Sequence, residues 1–62
     1  MLINYDGQSV LVTGAASGIG AALARALVAR GAHVICADVD EDGLNQTLAM
    51  LAGQGDKIVC DL

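Results

Sequence analysis

Two groups of residues carry chemistry in this chain: the stretch Thr13-Gly14-Ala15-Ala16-Ser17-Gly18-Ile19-Gly20, and Asp38, eighteen positions after its last glycine. The stretch lies between a short β-branched run and a long alanine- and leucine-rich pattern. Three glycines in that setting suggest a turn that holds an anion through main-chain amides. Gly14 lets a strand end turn tightly, Gly18 lets N–H groups approach a pyrophosphate, and Gly20 lets the new helix pack close against the sheet. Such a turn is weak evidence by itself. It gains weight when a strand precedes it, a helix follows it and an acid stands at the end of the next strand, where a carboxylate accepts hydrogen bonds from ribose hydroxyls.

The elements that would position these residues follow from hydrophobic patterning. Ser9-Val10-Leu11-Val12-Thr13 lacks in/out alternation, which predicts a parallel strand covered on both faces and central in its sheet. From Ser17 or Gly18 to Arg30, the spacing of Ile19, Leu23, Ala26 and Leu27 predicts a helix with one apolar stripe, capped by Gly31. His33-Val34-Ile35-Cys36-Ala37-Asp38 reads as a second buried strand with an acid at its carboxyl end. Asp40 caps the next helix, Glu41 and Asp42 complement its positive end, and Leu44, Leu48 and Leu51 supply its stripe. Gly53-Gln54-Gly55-Asp56 breaks that helix, and Lys57-Ile58-Val59-Cys60 forms a third strand.

The order is therefore βαβαβ, an α/β class. Right-handed crossovers stepping the same way give a three-stranded parallel sheet of order 3-2-1 with both helices on one face. The other face is left bare and the first strand presents an open edge. With no repeats, linkers or composition shifts, residues 1–62 read as one unit, half of a doubly wound domain without an internal boundary.

Composition excludes several function classes. The 62 residues carry a net charge of −4 with only three basic side chains, Arg25, Arg30 and Lys57, which do not cluster, so nucleic acid is not an expected partner. A phosphate group would meet backbone amides, not cations. Residues 1–6 are too short and too acidic for a signal peptide, and no apolar run reaches membrane-spanning length. The expectation is a cytoplasmic protein with Cys36 and Cys60 as reduced thiols, small residues of the core. Asp38-Val39-Asp40-Glu41-Asp42-Gly43 matches the first half of a calcium loop, but the position needing a bidentate Glu is Ala49. His33 and Cys36 have ligand-like spacing, yet on a strand they point to opposite faces, so no metal site is assigned.

Thr13-Gly14-Ala15-Ala16-Ser17-Gly18-Ile19-Gly20 resembles the TGxxxGxG pattern of the classical short-chain dehydrogenase/reductase family. Tyr5-Asp6-Gly7-Gln8-Ser9-Val10-Leu11-Val12 is similar to that family's lead into its first strand, Ala37-Asp38 to the end of its second, and Cys60-Asp61-Leu62 to the end of its third. The resemblance implies an NAD(P)-dependent alcohol or ketone oxidoreductase with a Rossmann fold, these residues forming the adenosine-binding half. Carried over position by position, Thr13 braces the turn, and Gly14, Ser17, Gly18, Ile19 and Gly20 line the ribose and pyrophosphate path. Asp38, with Val39 beside it, sits at the adenosine ribose, and Asp61 with Leu62 flanks the adenine.

A 2′-phosphate would meet the Asp38 carboxylate, and Ala15, Ala16 and Val39 supply no compensating cation, so the expected cofactor is NAD rather than NADP. The family's catalytic Ser, Tyr and Lys are not present as a set. Tyr5 is the only tyrosine, and the residue four positions later is Ser9, not lysine. No catalytic residue is assigned, and this chain is not expected to catalyse hydride transfer alone. Two rival readings stand beside it: a non-catalytic nucleotide-binding module, and a structural half-fold whose glycine motif is only a turn. The open first-strand edge and bare face point to a homo-oligomer in which a two-fold axis parallel to the strands pairs two first strands.

Overall fold

The structure is a computed structural model that describes residues 6–61, so the expectations on Tyr5 and Leu62 lie outside the described residues. Strand β1 (Ser9–Thr13), helix α1 (Gly18–Ala29), strand β2 (His33–Asp38), helix α2 (Glu41–Leu48) and strand β3 (Gly55–Val59) follow one another in the expected order. The three strands form one sheet, β1-β2-β3, with both pairings parallel. Val12 lies beside Cys36, Cys36 beside Lys57, and Asp38 beside Val59, so β1 and the acidic end of β2 finish side by side.

Both helices cover one face. Val12, Val34 and Cys36 point into it and meet Ala15, Ala24, Ala32, Leu44 and Leu51, all buried, with Val10, Leu27, Val28 and Leu48 packed at the margin. The alternate strand residues Leu11, Ile35 and Ile58 share the opposite face, where Leu11 and Ile58 are exposed. The uniform apolar character of β1 thus does not make it central and doubly covered among the described residues. It is an edge strand with one covered face.

The stripe expected on α1 is rotated. Gly20 and Ala24 are its buried residues and Leu27 and Val28 are half-buried, whereas Ile19 is 87% exposed and Leu23 51% exposed. The cause is the start of the helix. A Cβ on Gly20 would stand 2.8 Å from the Gly14 carbonyl carbon and 2.9 Å from Ala15 Cα, so α1 leaves the turn in backbone contact with it. At so short a separation only small residues fit beneath the helix, and the side chains at 20 and 24 set the inward face. The larger Ile19 and Leu23 are thereby turned outward.

Helix α2 starts as expected: Asp40 is its N-cap, its Oδ1 accepting from Gly43 N at 3.1 Å. It ends at Leu48, short of Leu51, yet Leu51 is fully buried because the turn after the helix folds it back under the sheet. β3 begins two residues earlier than the apolar run suggests, at Gly55. A side chain there would lie 2.6 Å from Leu51 Cδ1, so this glycine is a strand residue that makes room for Leu51 and not a breaker. Lys57 on β3 donates to Glu41 Oε2 at 2.8 Å and Asn45 Oδ1 at 2.7 Å, tying the third strand to α2 and holding the Glu41 carboxyl below the usual carboxylate range. Among the described residues, no helix is long and apolar enough to cross a membrane.

Candidate functional site

The glycine-rich turn is built from its own hydrogen bonds. Gly14 turns β1 with φ +66, a left-handed conformation suited to glycine. Its carbonyl accepts from Ser17 N at 3.0 Å and from Ser17 Oγ at 2.7 Å. The Ser17 hydroxyl oxygen also accepts from Gly20 N at 3.1 Å, and its carbonyl takes the amide of Ala21 at 2.8 Å, which makes Ser17 the N-cap of α1. Ala15 N donates to Ala37 O at 3.2 Å, and Ala16 N to Asp38 Oδ2 at 3.1 Å. The amides of Gly18 and Ile19 are left with no acceptor among the described residues. A Cβ on Gly18 would meet nothing within 4 Å, so the helix start is uncrowded at that position. Free amides at the positive end of a helix are the donor set that a phosphate group accepts from.

Asp38 stands at the other side of the turn. Its Oδ1 accepts from Asp40 N at 3.2 Å while Oδ2 takes Ala16 N. These amide contacts, Asp40 first and Ala16 second, hold its carboxyl below the usual carboxylate range. A carboxylate oxygen has two lone pairs, so each retains one for a further donor such as a ribose hydroxyl. Because the folded-state value is depressed, the tie between β2 and the turn is complete above the unfolded value of about 3.9 and is lost as pH falls through the lower folded one. The Ala16 amide resonance, followed by NMR, should accordingly titrate with a midpoint below that of free aspartate. A midpoint at or above it would contradict the contact.

Thr13, Gly14, Asp38, Val39, Cys60 and Asp61 line a cleft of about 280 Å³ over the carboxyl ends of the strands. Of the residues singled out from sequence for the site, Thr13, Gly14, Asp38, Val39 and Asp61 meet here. Ser17, Gly18, Ile19 and Gly20 form the adjoining helix start, with Gly20 buried beneath it. Cys36 is buried as expected, but Cys60 is a half-exposed member of the cleft and not a core residue: its amide donates to Asp38 O at 3.0 Å, which draws the chain after β3 across the end of β2. His33 begins β2 half-buried, its Nε2 2.8 Å from Asp56 Oδ2.

Sequence reasoning overlooked Thr47, which is buried on α2 with its hydroxyl donating to Ala15 O at 2.8 Å. The signal was present, since Thr47 lies three residues after Leu44 and four before Leu51, on the buried stripe itself.

A parallel β-α-β unit with a glycine-rich first turn, a free-amide helix start and an acid at the second strand end defines half of a Rossmann-type fold. The model of the short chain dehydrogenase family matches residues 8–61, and the chain belongs to that family. It is 48% identical over 48 residues to D-threitol dehydrogenase of Mycolicibacterium smegmatis, a match covering 77% of this chain and 18% of that protein. A short-chain type dehydrogenase/reductase from Mycobacterium marinum superposes with a TM-score of 0.89 at 35% identity, covering 97% of this chain and 26% of that one. A hydroxysteroid dehydrogenase from Escherichia coli does so with a TM-score of 0.88 at 31% identity, covering 94% and 26%. The chain thus spans well under a third of the length of these relatives.

Proposed function

We propose that this chain binds the adenosine and pyrophosphate end of NAD, as the dinucleotide-binding half of a short-chain dehydrogenase/reductase-type oxidoreductase, with residues 1–62 acting as one unit. The observation that carries the reading is the pairing of the free Gly18 and Ile19 amides with Asp38 across one turn: donors for a pyrophosphate on one side, an acceptor for a ribose on the other. Ser17 and Gly14 shape the turn, Gly20 sets α1 against it, and Val39, Asp61 and Leu62 surround the adenosine. When bound, NAD supplies the hydride acceptor. The residues of this chain bind and orient it, and none is assigned to proton transfer, because no Tyr and Lys stand four apart. Calorimetric titration tests the reading: NAD should bind and NADP should bind more weakly, and absence of heat with NAD would refute it. The free thiols Cys36 and Cys60 fit the reducing cytoplasm.

A second copy is the proposed partner. Leu11 on β1 and Ile58 on β3 are exposed on the bare face, and β1 has an unpaired edge among the described residues. Exposed apolar surface and an open strand edge both favour association. Light scattering of the chain should give a dimer or larger species, and a well-folded monomer at high concentration would count against it.

A further inference from the structure

Thr47 is buried, does not line the cleft, and donates its hydroxyl hydrogen to a residue of the glycine-rich turn. Thr47 and Gly43 are one helical turn apart and so share a face of α2. Gly43 meets Ala16: a Cβ on it would lie 2.7 Å from the Ala16 methyl. Thr47 meets Ala15, whose carbonyl it caps at 2.8 Å and which is itself fully buried. Opposite these contacts, Ala15 N is held by Ala37 O and Ala16 N by Asp38 Oδ2. Residues 15 and 16 are thus fixed from the sheet on one side and from α2 on the other, and the Gly18 and Ile19 amides follow within three residues.

We propose that Thr47 and Gly43 form a seat on α2 that sets the position of the pyrophosphate-binding turn, Thr47 acting as a positioning residue that does not touch the ligand. The proposal rests on the reading that this turn binds a dinucleotide. It makes α2 part of the binding machinery although none of its side chains lines the cleft.

The test compares ADP-ribose with adenosine as ligands for the chain and its variants, each checked for fold by circular dichroism. Thr47→Val keeps the shape of the side chain and removes the donor. ADP-ribose should then bind about tenfold more weakly, adenosine should be held as before, and Thr47→Ser should restore ADP-ribose binding. If Thr47→Val does not fold, Gly43→Ala, which keeps the hydroxyl and crowds the Ala16 methyl at 2.7 Å together with the Asp40 cap carboxylate at 2.6 Å, carries the same expectation. A folded variant that binds ADP-ribose as tightly as the parent, or loses both ligands equally, overturns the seat. Failure of the parent chain to bind ADP-ribose would instead overturn the dinucleotide reading itself.

Discussion

Asp38→Arg should invert the cofactor preference of the chain, from NAD over NADP to NADP over NAD. The two cofactors differ only in a phosphate on the adenosine ribose, and the cleft that would receive it is lined by two carboxylates, Asp38 and Asp61, and by no basic side chain among the described residues. Asp38 is held ionised by the Asp40 and Ala16 amides, so a phosphate there meets a charge that protonation does not relieve near neutral pH. Like charges brought together disfavour NADP by on the order of ten- to a hundredfold. An arginine reverses the sign of that interaction and offers a planar donor pair to the phosphate. The same substitution removes the acceptor for Ala16 N and Asp40 N, so affinity for both cofactors should fall. The ratio of the two dissociation constants, measured calorimetrically, is therefore the diagnostic quantity. A ratio unchanged in Asp38→Arg would remove Asp38 from the ribose position.

Residues whose role depends on local backbone chemistry were legible in the sequence. Asp40 as a cap, Gly14 as a tight turn at the strand end and Asp38 as the last residue of β2 each follow from neighbours within a few positions. Roles fixed by a close approach across the fold were not. The pattern of α1 gave Ile19 and Leu23 as core because they are its large apolar side chains, whereas backbone contact at Gly20 rotated them outward. Hydrophobicity alone does not tell a helix packed at side-chain distance from one packed at backbone distance. Gly55 was misread for the same reason, since its partner Leu51 arrives from a turn and not from the strand. Cys60 read as a core residue from its type and Thr47 drew no reading at all, because the cleft contact of the one and the hydrogen bond of the other come from segments more than twenty residues away.

The glycines at 18 and 20 are two residues apart on one helix start, yet their alanine variants should fail in opposite ways. At Gly20 the added methyl meets backbone atoms of Gly14 and Ala15 at under 3 Å, and backbone cannot swing aside as a side chain can. Helix α1 must lift from the turn, pulling Ala24 out of the core with it. Overpacking of this kind costs about 1–3 kcal/mol, and the rigid neighbours put it near the upper end, while the better helix propensity of alanine returns at most about 1 kcal/mol. A net loss of about 2 kcal/mol lowers the melting temperature of so small a domain by roughly 10 °C. At Gly18 the methyl meets nothing within 4 Å and φ is not positive, so Gly18→Ala should melt at or above the parent temperature. Its methyl instead projects into the open space at the helix start that carries the free amides, and on the proposed reading, in which a pyrophosphate lies there, NAD binding should be lost from a chain that is still folded. Thermal melts and NAD titrations on both variants separate the two roles. If Gly18→Ala binds NAD as the parent does, the helix start is a packing feature and not a phosphate site. If Gly20→Ala melts unchanged, the rotation of α1 has some other cause than its contact with the turn.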